Sequence, residues 1–236
     1  MFWLIPLGIG IILLIIFLVF RVKEKRVIAV VFKGLTSLMF IVTALVAWLT
    51  SKNPTHYFGI FVLIALFFGL LGDVFLDIKF IDKKHDFLFT SLGFIAFALG
   101  HIFFVTGLFI HFFDFGKSFL FLVIPIVVAL LLTVVTLLME KFTAIKYKNM
   151  KPFVIAYGFI LFFAVSIYFS TALQSSWQIP TVNIIFGGLV LFALSDLILN
   201  NTYFSTGCNT PLFVITNHVA YYIAQFAIAI SLFFLI

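Results

Sequence analysis

Two carboxylates, Asp73 in LFFGLLGDVFLD and Asp196 in FALSDLILN, are embedded in long apolar runs. An ionised side chain in hydrocarbon costs at least about 2.5–3.5 kcal/mol on insertion scales, so each acid needs a compensating role. One role is structural: a hydrogen-bonding or ion-pair partner, with Lys33 as counter-charge. The other is chemical. Two buried carboxyls sharing one site, one protonated and one ionised, form a general acid beside a base. Lys33 itself reads either as that counter-charge or as a side chain snorkelling to the interface.

Further polar residues collect at the same depth. Asp73 lies 16 residues beyond Tyr57 and Asp196 lies 15 beyond Thr181, each roughly 23 Å along its helix at 1.5 Å per residue. Lys33 and Tyr157 belong to helices entered from the opposite side, as do Asn217 and His218. Ser195 precedes Asp196, and Asn200 follows it by four residues on the same helix face. Tyr221, Tyr222 and Gln225 continue the polar line. His101 is expected farther toward the outer leaflet. With no metal-binding spacing between His101 and His218, neither metal nor cofactor is expected. The remaining acids, Glu24, Asp82, Asp86, Asp114 and Glu140, read as solvated connector residues, and so does Asp77 at a helix end. Tyr203 and Trp177 read as members of an interfacial aromatic belt.

The elements that carry these residues follow from composition. Of 236 residues 65% are hydrophobic and 9% charged, with 36 Phe. A soluble domain carries roughly 25% charged residues, so this chain lacks a surface for water. Runs of about 20 apolar residues cross a bilayer, and only helices satisfy their own backbone there. The expected fold is an all-α polytopic bundle of eight transmembrane helices in a single domain, residues 1–236. The expected spans are 2–20, 27–49, 57–76, 87–110, 118–138, 152–173, 181–200 and 211–236. The first reads as a retained helix, since basic residues follow it rather than precede it.

The net charge of +6 does not point to nucleic acid, because the basic residues sit in connectors. Eleven of them lie in the connectors after helices one, three and five, against only Lys52 and Lys117 on the other side. That asymmetry predicts a multi-pass protein of the cell membrane with both termini outside the cytoplasm. The lone Cys208 permits no intrachain disulfide.

Four segments, GDVFLD (Gly72 to Asp77), GFIAFALGHIFFV (Gly93 to Val105), GLVLFALSDLILN (Gly188 to Asn200) and AYYIAQFAIAI (Ala220 to Ile230), resemble the YhhN-like lysoplasmalogenase family. The resemblance covers most of the chain and implies an eight-helix membrane hydrolase. Its substrate would be a lysophospholipid with a vinyl-ether chain, cleaved to a fatty aldehyde and a glycerophospho-base. The acids of the GDxxL and SDxxL motifs, Asp73 and Asp196, would be needed for activity, their roles unassigned. Lys33, Tyr157, Tyr222 and Gln225 would line the same pocket, with Lys33 or Tyr157 holding the phosphate or a glycerol hydroxyl. Gly34 stands after Lys33 where proline is expected. The competing reading is a small proton-coupled transporter or a lipid-binding protein. Against transport, no inverted repeat or matched pair of interrupted helices is found.

Overall fold

A computed structural model describes residues 1–205 and 210–235; Cys208 lies outside them. Eight helices among the described residues are long and apolar enough to cross a membrane. They are α1 (Leu4–Val22), α2 (Arg26–Leu49), α3 (Phe58–Ile78), α4 (Asp86–His111), α5 (Leu120–Phe142), α6 (Lys151–Gln174), α7 (Pro180–Phe204) and α8 (Pro211–Ser231). The eight-helix, all-α architecture read from hydropathy is the one observed.

Local sequence explains where the later helices begin. α6, α7 and α8 each open with proline in the first turn, where a missing N–H leaves no bond unmade. Thr210 caps α8 by accepting from the Phe213 N–H. Glu24, in the left-handed region at φ 56°, tightens the short turn between α1 and α2. Two helices run a full turn past their expected ends. α5 continues to Phe142 and α7 to Phe204, a full turn beyond Asn200. The extension of α7 matters below.

Neighbouring elements form four hairpins: α1 with α2, α3 with α4, α5 with α6 and α7 with α8. Six helices close a ring, each touching the next in the order α2, α3, α4, α6, α7, α8 and back to α2. α1 lies outside this ring against α2, and α5 lies outside it against α6. Only 17% of the most apolar stretch of α1 and 22% of that of α5 is buried, against 33–56% for the ring helices. Their outward Ile, Leu and Val side chains are the surface a bilayer would cover.

Small residues set the approach inside the ring. A Cβ on Gly72 would stand 2.7 Å from the Phe97 ring, and one on Gly188 would meet Ile228 at 2.6 Å. These two positions let α3 meet α4, and α7 meet α8, closely enough to bring their polar residues to one level.

Candidate functional site

The site begins with two i, i+4 pairs on facing helices. Lys33 and Ser37 share a face of α2, and Asp73 and Asp77 share a face of α3. The Lys33 ammonium donates to Asp77 Oδ1 at 3.1 Å and lies 3.4 Å from Asp73 Oδ1. All three side chains are at most 5% exposed. Lys33 is therefore the counter-charge and does not snorkel. Asp77 is a correction: it was expected in solvent and instead is a full partner in a buried triad. Its place four residues after Asp73 was the signal. Among the described residues its Oδ2 has no hydrogen-bond partner.

Hydroxyl groups complete the surroundings of Asp73. Ser37 donates to its Oδ2 at 2.6 Å, and Tyr221 donates to the same oxygen at 2.7 Å. Gln225 holds Tyr221 in place, its Nε2 donating to the phenol oxygen at 2.9 Å. Tyr222 donates to the Lys33 carbonyl at 3.2 Å and lies 3.0 Å from Ser37 Oγ. Tyr222 and Gln225 thus support the triad and its hydroxyls, and neither lines the hollow described next. Asp73 has one cation and two donors.

Asp196 is placed differently. On α7 it is reached by the Tyr157 hydroxyl of α6, which donates to Oδ2. No Lys or Arg forms an ion pair with it among the described residues. The His101 ring stacks on Tyr157 with centroids 5.9 Å apart and meets Phe192 edge-on at 4.8 Å. His101 is therefore nearer the site than its expected depth, one layer behind Tyr157, with its Nε2 unpartnered. The Ser195 hydroxyl returns to the Phe192 carbonyl at 2.7 Å, and its own carbonyl accepts from Asn217 at 2.6 Å. Those bonds join α7 to α8 beside Asp196 and leave the Ser195 hydroxyl a local role.

Asp73 and Asp196 line one small hollow, together with Lys33, His218, Tyr221 and Tyr203. Its volume is about 20 Å³, room for a single water. The His218 Nδ1 faces the Val214 carbonyl at 2.7 Å; that acceptor assigns the N–H to Nδ1. A separate cleft of about 30 Å³ runs from Asp196, Tyr157 and Asn200 between α5, α6 and α7, lined by Val154, Leu161, Phe162 and Leu197. Asn200 faces this apolar cleft and not the hollow.

At the basic end of the bundle the walls open. A vestibule of about 470 Å³ is bounded by Arg21, Glu24, Arg26, Lys79, Lys83 and Asp86 on one side and by Thr202, Tyr203 and Pro211 on the other. A second opening of about 460 Å³ lies beside it, toward Lys146 and Lys148. Tyr203 borders vestibule, second opening, hollow and cleft alike. It is a wall between chambers and not a belt residue. The reason is the extra turn of α7: Asp196, Asn200 and Tyr203 fall at i, i+4 and i+7 on one face. Lys79 lies over the Tyr203 ring, 3.3 Å from its centroid, and Arg21 lies 3.8 Å from that of Phe80. Burial pulls the Lys79 ammonium down to about 8, with Asp86 and Asp77 opposing that shift.

The arrangement can hold water between two acids of unlike surroundings, with a cationic vestibule on one side of Tyr203 and an apolar cleft beside Asp196. No curated protein and no solved structure matches the chain. The YhhN family model matches residues 28–232, from α2 through the end of α8. All of the ring helices that build the hollow fall in that match, and the chain belongs to the YhhN family.

Proposed function

We propose that the protein is a membrane hydrolase that cleaves the vinyl-ether bond of single-chain lysoplasmalogens, releasing a fatty aldehyde and a glycerophospho-base. The observation that carries this reading is the unlike pair of acids on one water-sized hollow. Membership of a family that includes lysoplasmalogenases supports the substrate class.

The surroundings of the acids divide the work between them. Asp73, beside Lys33 and under two hydroxyl donors, has the environment of a carboxylate. Asp196, with one phenol and no cation, has an environment that fits a neutral acid, since an unpaired charge there is costly. Asp196 protonates the outer carbon of the alkenyl double bond, and the electrons of that bond leave an oxocarbenium ion next to the ether oxygen. Asp73 steadies the cation, as a carboxylate does in glycoside cleavage. Water adds to the cationic carbon and gives its proton to Asp73, forming a hemiacetal. Asp196 then takes the hemiacetal hydroxyl proton while Asp73 returns its own to the departing glycerol oxygen. The carbon–oxygen bond breaks, and both acids end as they began. Tyr157 holds Asp196 Oδ2 and so orients the other oxygen for the transfer.

The apolar residues at the Asp196 cleft mark the side from which the alkenyl chain approaches, and the helices there must part to admit it, since the cleft holds only about 30 Å³. The test is aldehyde release by purified protein in detergent supplied with alkenyl-lysophosphocholine. Turnover is expected from the native chain and neither from Asp73→Asn nor from Asp196→Asn. Full aldehyde release by both folded variants ends the proposal, and no release by the native chain favours a carrier or lipid-binding protein.

A further inference from the structure

If the hydrolase reading holds, the lipid phosphate needs a cation, and Lys33 cannot supply it. Its ammonium is 5% exposed and already shared by Asp73 and Asp77. The other basic residues divide into two kinds. Lys25 and Lys84 are exposed on the connectors, as topology signals usually are. Arg21 and Lys79 are turned inward and are partly buried. Each rests on an aromatic face, which steadies a cation without occupying its N–H donors. Among the described residues the Arg21 guanidinium donates to no acceptor, and the closest acid to Lys79 is Asp86, at 3.9 Å. Two partly buried cations with unspent donors thus face one vestibule.

We propose that this vestibule is the phosphate subsite for a lysophospholipid, with Arg21 and Lys79 as the groups that bind its phosphodiester. The inference rests on the proposed hydrolase function for its chemistry but not for its test. A phosphodiester presents the planar guanidinium with two oxygens and the ammonium with a third. Tyr203 separates the vestibule from the hollow, and glycerol sets phosphate and vinyl ether only a few bonds apart. A lipid held by its phosphate on the Lys79 side of Tyr203 therefore places its ether linkage on the Asp196 side, with the chain directed toward the apolar residues of the cleft. Glu24 and Asp86 share the vestibule wall, where they meet the ammonium of a zwitterionic head group. Lys79 and Arg21 would then select phospholipids over neutral ether lipids, and Tyr203 would be the residue the glycerol passes.

The experiment measures binding without turnover, using the purified full chain in detergent. The probes are a saturated alkyl-lysophosphocholine, which has no vinyl ether to cleave, the alkylglycerol that lacks its phosphate, and inorganic phosphate. Arg21→Gln and Lys79→Gln are each expected to weaken alkyl-lysophosphocholine by about tenfold, the loss of one charge-assisted contact. Alkylglycerol binding should not change, Lys79→Arg should restore most of the affinity, and the exposed-site variant Lys25→Gln should behave as the native chain. Equal weakening of both lipids, or unchanged lysophosphocholine affinity in both Gln variants, would overturn the assignment. So would inorganic phosphate displacing the lipid at the lipid's own concentration, which would make this a site for free anions. An aldehyde assay run in parallel separates the two claims: a native chain that binds in this pattern yet releases no aldehyde keeps the phosphate subsite and loses the hydrolase.

Discussion

Replacing Lys33 with methionine keeps an unbranched stem one atom shorter and removes the charge that two buried carboxylates share. At an effective dielectric of about 20, contacts of 3.1 and 3.4 Å correspond to roughly 5 kcal/mol of attraction each. Most of that is offset by the desolvation of Lys33 itself, and breaking a buried pair by deleting one partner costs a net of about 3–5 kcal/mol. Since the side chains here are at most 5% exposed, solvent screening offers little relief. For a chain of this size the loss translates to a fall in Tm of roughly 6–20 °C. The assay is thermal unfolding in detergent, followed by tryptophan fluorescence at fixed pH and salt. Adding Asp77→Asn to Lys33→Met removes one of the two orphaned charges and should recover a large part of the deficit, so the two changes must be non-additive. A Lys33→Met chain within about 0.5 kcal/mol of the native one, or strict additivity in the double variant, would refute the shared-cation argument.

Asp196→Asn should lower aldehyde release by at least about a hundredfold, the usual contribution of a general acid, while circular dichroism stays unchanged. Gly72→Ala drives a methyl into the Phe97 ring, 2.7 Å away, and should cost about 1–3 kcal/mol in thermal unfolding. Affinity for alkyl-lysophosphocholine should fall as pH rises through about 8, because Lys79 binds the phosphate only while protonated. Lys79→Arg should hold its affinity well beyond that pH, as guanidinium does not titrate there; a parallel decline in both chains would remove Lys79 from the phosphate site. Alkaline phosphatase fused to the C-terminus should be active outside the cytoplasm, and a cytoplasmic readout would reverse the proposed orientation of the vestibule.

Hydropathy alone carried the helix count, because a bilayer-spanning run is set by length and apolarity and not by its partners. It also held a clue to the ring: α5 and α1, at mean hydropathy 3.0 and 2.7, are the most apolar spans and the two left outside, while half-buried α8 stands at 1.4. A helix bathed in lipid can be apolar all round, whereas a ring helix reserves one face for polar neighbours. Asp73 and Asp196 were legible because nothing nearby in sequence compensates them. Asp77 was not, since a position at a helix end looks solvated until α2 is seen to lay Lys33 across it. Tyr203 was misread for a boundary reason: ending α7 at Asn200 cut off the turn that carries Tyr203 onto the Asp196 face. The separate surroundings of the two acids needed tertiary structure, because Ser37, Tyr221 and Tyr157 come from three other helices.

The ring closes where α8 meets α2, and that seam fixes an order of assembly. Hairpins emerging from the ribosome in sequence would leave the Lys33–Asp73–Asp77 triad facing an open flank until the fourth hairpin arrives. That hairpin brings both Asp196 and the phenol that donates to Asp73. Biosynthesis therefore completes the polar site in its last step, and a nascent chain stalled before α8 displays a half-satisfied polar flank to membrane quality control.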